Sequence, residues 1–259
     1  MHDVVIASRS EIGARGSNED CLQHGAVETG WYAVLADGAG GHSNGAIASD
    51  LAVRIAAQEL RRRAALEDLQ PQALGQIVLA AHDALNSQQD GVRDRQRMHT
   101  TLVLLWIDAA RQRALWTHVG DSRLYVLRQG RVDYITRDDS VVQSMVDAGL
   151  LAPEQARDHP NRNQLIAALG SDDPIEPNFS DAAFALRDGD AFLLCSDGWY
   201  DLLVPSDIEN TLSRAATPDD WLAAMQRLVQ QRLRPNQDNF SAIAVWVGNP
   251  TEITRIGAP

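Results

Sequence analysis

Cysteine is almost missing from this chain of 259 residues: Cys21 and Cys195 are the whole supply. Two thiols without a CxxC spacing exclude a disulfide framework, a zinc ribbon and a dithiol redox centre, and leave both as packing residues. Neither is followed six positions on by an arginine, since Cys195 leads to Asp201 and Cys21 to Val27. A cysteine-dependent phosphatase loop is thereby excluded as well. Positive charge is also scarce, with 23 Lys and Arg against 35 Asp and Glu and a formal charge of −12. Nucleic acid and anionic membranes both need clustered cations, so neither is an expected partner. The one basic run, Arg61 to Arg63, falls late in a helical pattern, where cations offset the helix dipole. No stretch approaches the roughly 20 apolar residues of a membrane span, and "MHDVVIASRSE" has no basic and apolar leader. The expectation is a cytoplasmic protein.

What is present is ample apolar material, 44% of residues, enough to bury the core of one large domain. Trp31 to Ala36 reads as a buried strand. Beyond the glycines that follow, Ile47, Leu51 and Ile55 recur at helical spacing to about Ala64. Pro71 opens a second helix with Leu74, Ile77, Val78, Ala81 and Leu85 on one stripe, and the short link predicts an antiparallel helix pair. Gly91 to Arg97 is a polar loop. "TLVLLWID", "RALWTHV", "RLYVL" and "VDYIT" then follow as closely spaced strands, which predicts antiparallel neighbours rather than crossover units. They are apolar on both faces, as expected of strands between a second sheet and a helical layer. Ser140 to Ser180 begins helically and becomes irregular, with Pro153, Pro160, Pro174 and Pro177. Excursions of that kind inside a domain are commonly lids or recognition elements, although plain surface is an alternative. "AFLLC" and "FSAIAVWV" are buried strands, and Ser206 to Arg214 and Asp219 to Leu233 are helices. Asn249 to Pro259 is a patternless tail.

An aspartate recurs at the end, or just before the start, of an apolar strand. "YAVLADG" places Asp37 there, "WTHVGDS" Asp121, "FLLCSDG" Asp197 and "QDNFSAIAVWV" Asp238, while "NED" adds Glu19 and Asp20. Singly, each is an ordinary turn residue; Asp188 and Asp190 in "RDGD" read as nothing more. As a set they converge if the strand ends share one edge of a layered domain. Carboxylates brought within roughly 4–6 Å raise one another's pKa unless a cation neutralises them. All-oxygen ligands without His/Cys spacing point to a hard ion, Mg²⁺ or Mn²⁺. Two such ions suit phosphate monoester hydrolysis, which needs an activated water and neutralisation of charge on the phosphoryl oxygens.

Read in order, "RGSNED", "ADGAGGH", "HTT", "HVGDSRLYVLRQG", "LLCSDG" and "QDNFSAIAV" resemble the metal-dependent protein phosphatases of the protein phosphatase 2C type, bacterial branch. The resemblance runs through nearly the whole chain. It implies an α+β fold, a four-layer α-β-β-α sandwich of two antiparallel sheets flanked by helix pairs, in one catalytic domain over residues 1–259. A flap subdomain at about 139–180 would border the active site as a substrate-recognition element. The implied activity is hydrolysis of phosphoserine and phosphothreonine proteins by attack of a metal-bridging water on phosphorus. By resemblance, Asp37 bridges two Mn²⁺ or Mg²⁺ ions, the Gly38 carbonyl ligates one, and Asp197 and Asp238 complete the protein ligands. Glu19 and Asp20 hold metal-bound waters, Asp121 with Asp197 forms a weaker third site, and Arg15 grips the substrate phosphate through its fork. The implied partners are phosphorylated substrates of a bacterial serine/threonine kinase, met by a monomer.

Three positions depart from the family pattern. Ala39 stands where many members carry histidine or methionine, so the proton for the leaving oxygen must come from a metal-bound water or from His42, for which a structural role is the alternative. His99 replaces a glycine before "TT" and is expected to crowd the adjacent strand, and Asp139 replaces a histidine at the flap entrance. Other readings remain. GHSNG fits the GxSxG of a serine hydrolase with Ser43 as nucleophile, but six residues separate Ser43 from the end of the apolar run and the parallel βαβ rhythm is missing; Ser43 or Asn44 reads better as a helix cap. A catalytically dead member acting as a regulatory binding module is disfavoured by the presence of Asp37, Asp197 and Asp238. A phosphodiesterase of small molecules is set aside only by family analogy.

Overall fold

The apolar runs pair into two antiparallel sheets in a computed structural model that describes residues 3–39, 44–67, 69–89, 91, 97–180 and 182–251. In chain order the elements are β1 (Val4–Glu11), β2 (Asp20–Val27), β3 (Gly30–Ala39), α1 (Asn44–Ala65), α2 (Pro71–Gln88), β4 (His99–Thr100), β5 (Leu102–Asp108), β6 (Arg113–Val119), β7 (Arg123–Arg128) and β8 (Arg131–Ile135). After them come α3 (Val141–Asp147), α4 (Pro153–Ala156), β9 (Asn178–Phe179), β10 (Phe184–Ala185), β11 (Asp190–Cys195), α5 (Asp197–Tyr200), α6 (Pro205–Leu212), α7 (Pro218–Gln231) and β12 (Phe240–Val247).

One sheet has the order β1-β12-β11-β7-β8; the other has β10-β6-β5-β3-β2, with β4 on β3 and β9 on β6. Every pairing between these strands is antiparallel, as the close strand spacing required. The parallel sheet of a serine hydrolase is not this architecture.

Three apolar layers explain why the central strands carry hydrophobic residues on both faces. Leu35, Val103, Leu105, Phe192, Leu194 and Ile243 fill the space between the sheets. The opposite faces take helices: Val34, Leu104 and Trp106 pack with α1 and α2, and Leu193, Ala244 and Trp246 pack with α6 and α7. Helix α2 buries Leu74, Ile77, Val78, Ala81 and Leu85 as its stripe predicts. Helix α1 corrects the expectation for its own stripe, since Ile47 is exposed and the buried face is mostly small: Ala48, Leu51, Ala52, Ala56, Ala57 and Leu60. Alanines let the helix approach the sheet closely, and of the large residues at helical spacing Leu51 and Ile55 pack on the core while Ile47 does not. Cys195 is buried and Cys21 half-buried, both as free thiols. Asp190, read as a turn residue, instead opens β11, buried and forked by Arg128 through two 2.8 Å bonds.

Candidate metal centre

The site is assembled from strand ends. Strand β3 does not stop at Ala36 but continues through Asp37 and Gly38 to Ala39, and antiparallel register sets Asp37 opposite Asp20. Thr101 fixes that end from the other side: the Asp37 N–H donates to Thr101 Oγ1 at 2.9 Å and the Thr101 N–H donates to the Asp37 carbonyl at 2.9 Å. Thr101 Oγ1 also lies 2.7 Å from Ser122 Oγ, which ties Asp37 to the β6–β7 turn carrying Asp121. Gly38 is obligatory here, because a Cβ on it would collide with the carbonyls of Gly45 and Glu19.

The other acids arrive from separate elements. Asp197 follows β11 at the start of α5, and Asp238 stands two residues before β12. Asp121 follows Gly120, whose φ of +96° and contact with Thr101 exclude a side chain. Asp37, Gly38, Glu19, Asp121, Asp197, Asp238 and Arg15 all line one cleft of about 430 Å³, bordered by Asn163 and Leu165 from the segment after α4. Asp20 sits behind it, accepting a 2.9 Å bond from Ser196 Oγ. His42 and Ser43 lie outside the described residues.

Electrostatics set these acids apart from those in surface ion pairs. Burial first, and then the charges of Asp20, Asp197, Asp121 and Asp238, hold the Asp37 carboxyl well above the usual carboxylate range. Burial and then Asp121, Asp201, Asp238 and Asp20 do the same to Asp197. Burial pushes Asp20 up to about 6, and burial followed by the charge of Asp138 pushes Asp121 up to about 7. Asp197 Oδ1 and Asp20 Oδ1 are buried without a hydrogen-bond partner, an arrangement that costs free energy unless a cation or water supplies one. Arg15 partly offsets the charge through a 2.6 Å bond from Nη2 to Asp238 Oδ2. Among the described residues, no three His, Cys, Asp or Glu side chains form a finished ligand cage. Arg15 and Ser196 hold two of the carboxylates in its stead. The donor set is all oxygen and crowded with like charge, which fits hard divalent ions.

Sequence reasoning missed three residues that organise the cleft. Asn239 is buried; its Nδ2 donates to the carbonyls of Ile12 and Ser17 at 2.8 and 2.9 Å, and its Oδ1 accepts from the Glu19 N–H at 2.8 Å. It thus pins the loop carrying Arg15 and Glu19. Ser196 bridges Asp20 to the Ser241 N–H, and Thr101 acts as described above. All three lie inside quoted motifs, "QDN", "CSD" and "HTT", so adjacency to the acids was the available signal. Two of the family departures prove to be cross-strand partners: His99 on β4 faces Ala39 on β3, so the large residue stands opposite the small one. Asp139 clamps the Asp121 turn, its Oδ2 accepting from the Gly120 N–H at 3.0 Å and its own N–H donating to the Gly120 carbonyl at 2.9 Å.

Comparison with known proteins places the chain in a family. The family profile described as "Protein phosphatase 2C" matches residues 8–242. The serine/threonine protein phosphatase PstP of Mycobacterium tuberculosis is 36% identical over 248 residues, covering 93% of this chain and 44% of its own length. This chain therefore spans under half of that relative. Protein phosphatase PhpP of Streptococcus pneumoniae is 33% identical over 217 residues, covering 80% of this chain and 84% of its own. The crystal structure of the catalytic domain of PstP in complex with two manganese ions superposes with a TM-score of 0.78 at 30% identity, covering 95% of this chain and 98% of that one. With a profile match across most of its length and relatives of this likeness, the chain belongs to the protein phosphatase 2C family.

Proposed function

We propose that this chain is a Mn²⁺- or Mg²⁺-dependent serine/threonine protein phosphatase. One observation carries the reading: four aspartates from four separate strand ends, Asp37, Asp121, Asp197 and Asp238, line a single cleft beside Arg15, and burial with neighbouring carboxylates raises Asp37 and Asp197 well above the usual carboxylate range. The PstP structure with two manganese ions supports a two-metal site. Asp37, Asp197 and Asp238, with the Gly38 carbonyl, are the residues to hold the two core ions. Glu19 and Asp20 orient bound water, and Asp121 with Asp197 offers a weaker third position.

Bound there, two divalent ions supply an activated water and neutralise charge on the phosphoryl oxygens. The chain's own groups do the rest. Arg15, more than half exposed at the cleft mouth, presents a planar fork to the phosphate. Its exchange of Asp238 for substrate keeps one anion on the guanidinium throughout. Ala39 lines the cleft but holds no proton, so His42 or a water protonates the departing serine or threonine oxygen. The segment containing α3 and α4 brings Asn163 and Leu165 to the cleft wall, which supports its role as a flap that contacts the substrate. A bacterial relative named as a serine/threonine protein phosphatase supports substrates phosphorylated by a bacterial serine/threonine kinase. The reading includes a cytoplasmic monomer; no described helix is long and apolar enough to cross a membrane.

The test is turnover of a purified phosphothreonine peptide with and without Mn²⁺, beside Asp238→Asn. Metal-dependent release of phosphate that the variant loses is the expected result. Equal turnover in a chelator, or an unaffected variant, overturns the reading.

A further inference from the structure

The acidic cleft continues into a second one of about 370 Å³, and the two share Arg15, Asn163, Asp197 and Asp238. Its wall carries two more arginines, Arg162 and Arg234. In a chain of net charge −12, this second cleft sets three guanidiniums, Arg15, Arg162 and Arg234, against three carboxylates, Asp197, Asp201 and Asp238, so it balances in formal charge where the metal cleft beside it is acidic.

Arg234 is exposed on a fixed turn. It is the first residue of a turn with Pro235 at the second position, closed by a 3.1 Å bond from the Gln237 N–H to the Arg234 carbonyl. Both ends of this stretch are anchored. Arg232 donates to the Leu202 carbonyl at 2.7 Å, while buried Gln237 donates from Nε2 to the Gly198 carbonyl at 3.1 Å and accepts from the Ala14 N–H. Fifteen ion pairs occupy most of the described arginines, among them Arg9, Arg54, Arg97, Arg113 and Arg128. The Arg234 guanidinium has no ion-pair or hydrogen-bond partner among the described residues. Across the groove, Arg162 meets Asp201 only through Nε at 3.4 Å, so its outward nitrogens are not engaged by that contact.

We propose that Arg162 and Arg234 form an anion subsite beside the scissile phosphate, reading an acidic or second phosphorylated side chain of the same substrate. The proposal rests on the phosphatase reading above. An extended peptide advances roughly 3.3 Å per residue and places every second side chain on one face. A residue two positions from the phosphoresidue therefore falls beside the main cleft. Arginine forks match carboxylate and phosphate alike, so the shared chemistry is a planar or tetrahedral oxyanion.

The experiment compares three phosphothreonine peptides with Mn²⁺: one with neutral flanks, one with glutamate two residues to either side, and one with a non-hydrolysable phosphonate there. The wild-type protein should favour the charged peptides by about 5- to 10-fold in kcat/KM, the scale of a partly exposed charge-assisted pair, chiefly through KM. That ratio should fall toward one in Arg162→Ala/Arg234→Ala and survive in Arg234→Lys. A preference for both charged peptides assigns the site to any oxyanion; a preference for the phosphonate alone assigns it to phosphate. No preference in the wild type, a preference retained by the double variant, or an equal loss on all three peptides overturns the subsite. Failure of the wild type to hydrolyse the neutral peptide with Mn²⁺ overturns the phosphatase reading itself.

Discussion

The middles and the mouths of the same strands obey opposite rules. Along β11 and β12 every residue is buried, and their inward side chains meet β3 and β5 in an apolar layer without a charge. At or beside the ends of β3, β11 and β12 stand Asp37, Asp197 and Asp238, which line the cleft together. The middles stabilise the fold by removing apolar area from water. The mouths spend some of that stability on crowded carboxylates, two of whose oxygens have no partner. Folding energy and chemistry are thus separated by a few residues along one strand, which is why they can be broken independently.

The largest effect should come from exchanging the two kinds of lesion. Asp197→Asn is expected to lower phosphatase activity by about 100-fold or more, since losing a metal ligand costs at least what losing an outer-shell partner does. In a chelator the same variant should melt higher than the parent, because one of several repelling charges is gone. Leu105→Ala should do the reverse, losing about 2–5 kcal/mol of stability to the cavity it leaves between the sheets while keeping the metal dependence of whatever folds. Urea unfolding and a Mn²⁺ titration on both variants check this. A metal-free Asp197→Asn that melts lower than its parent would contradict the claim that the mouth is strained by charge.

A pH series sharpens the same contrast. Asp20 at about 6 and Asp121 at about 7 both lie above the unfolded value of about 3.9. A carboxyl raised by folding is fully compatible with the native state below its unfolded pKa, and that stability is lost as pH rises through the folded pKa. The metal-free protein should therefore lose stability between about pH 4 and pH 7, at up to about 1.4 kcal/mol per pH unit for each proton released. Mn²⁺ should flatten the curve by supplying the missing positive charge. A melting temperature that does not fall over this range in chelator would show that the acids are not repelling one another.

How legible each region was in the sequence follows the same division. Strands β5, β6, β7, β11 and β12 announce themselves because both faces are buried, and the aspartates at their mouths stand out against apolar runs. Strands β1 and β2 escaped notice: "VVIASRSE" and "DCLQHGAV" are half-buried apart from exposed Val5, Ser10 and Ala26, so polar and small residues are tolerated and no alternation survives. Helix α1 is legible from its spacing, and Leu51 and Ile55 pack on the core, but Ile47 is exposed and alanines complete the buried face. Asn239 was marked only by its place beside Asp238, and its role was hidden for a different reason. Its partners Ile12, Ser17 and Glu19 lie more than 200 positions away, and no local pattern records a bond of that span. Asn239→Ala should accordingly cost about 1–3 kcal/mol through the groups left unpaired and about 10-fold in activity as the Arg15 loop loosens. A variant with full activity and stability would show that the loop is held by other means.

The smallest effect belongs to Ser43, whose GHSNG setting suggests a nucleophile. A nucleophile elbow needs a serine directly after a central strand of a parallel sheet. Strand β3 instead runs on through Asp37 to Ala39, paired antiparallel with β2 on one side and with β4 and β5 on the other. The Asp37 carboxyl therefore takes the position at the strand end that an elbow serine would need. Ser43→Ala should leave Mn²⁺-dependent turnover within about twofold, the change expected when a side chain takes no part in the chemistry. Metal-independent turnover that this variant abolishes would move the chemistry from the aspartates to the serine.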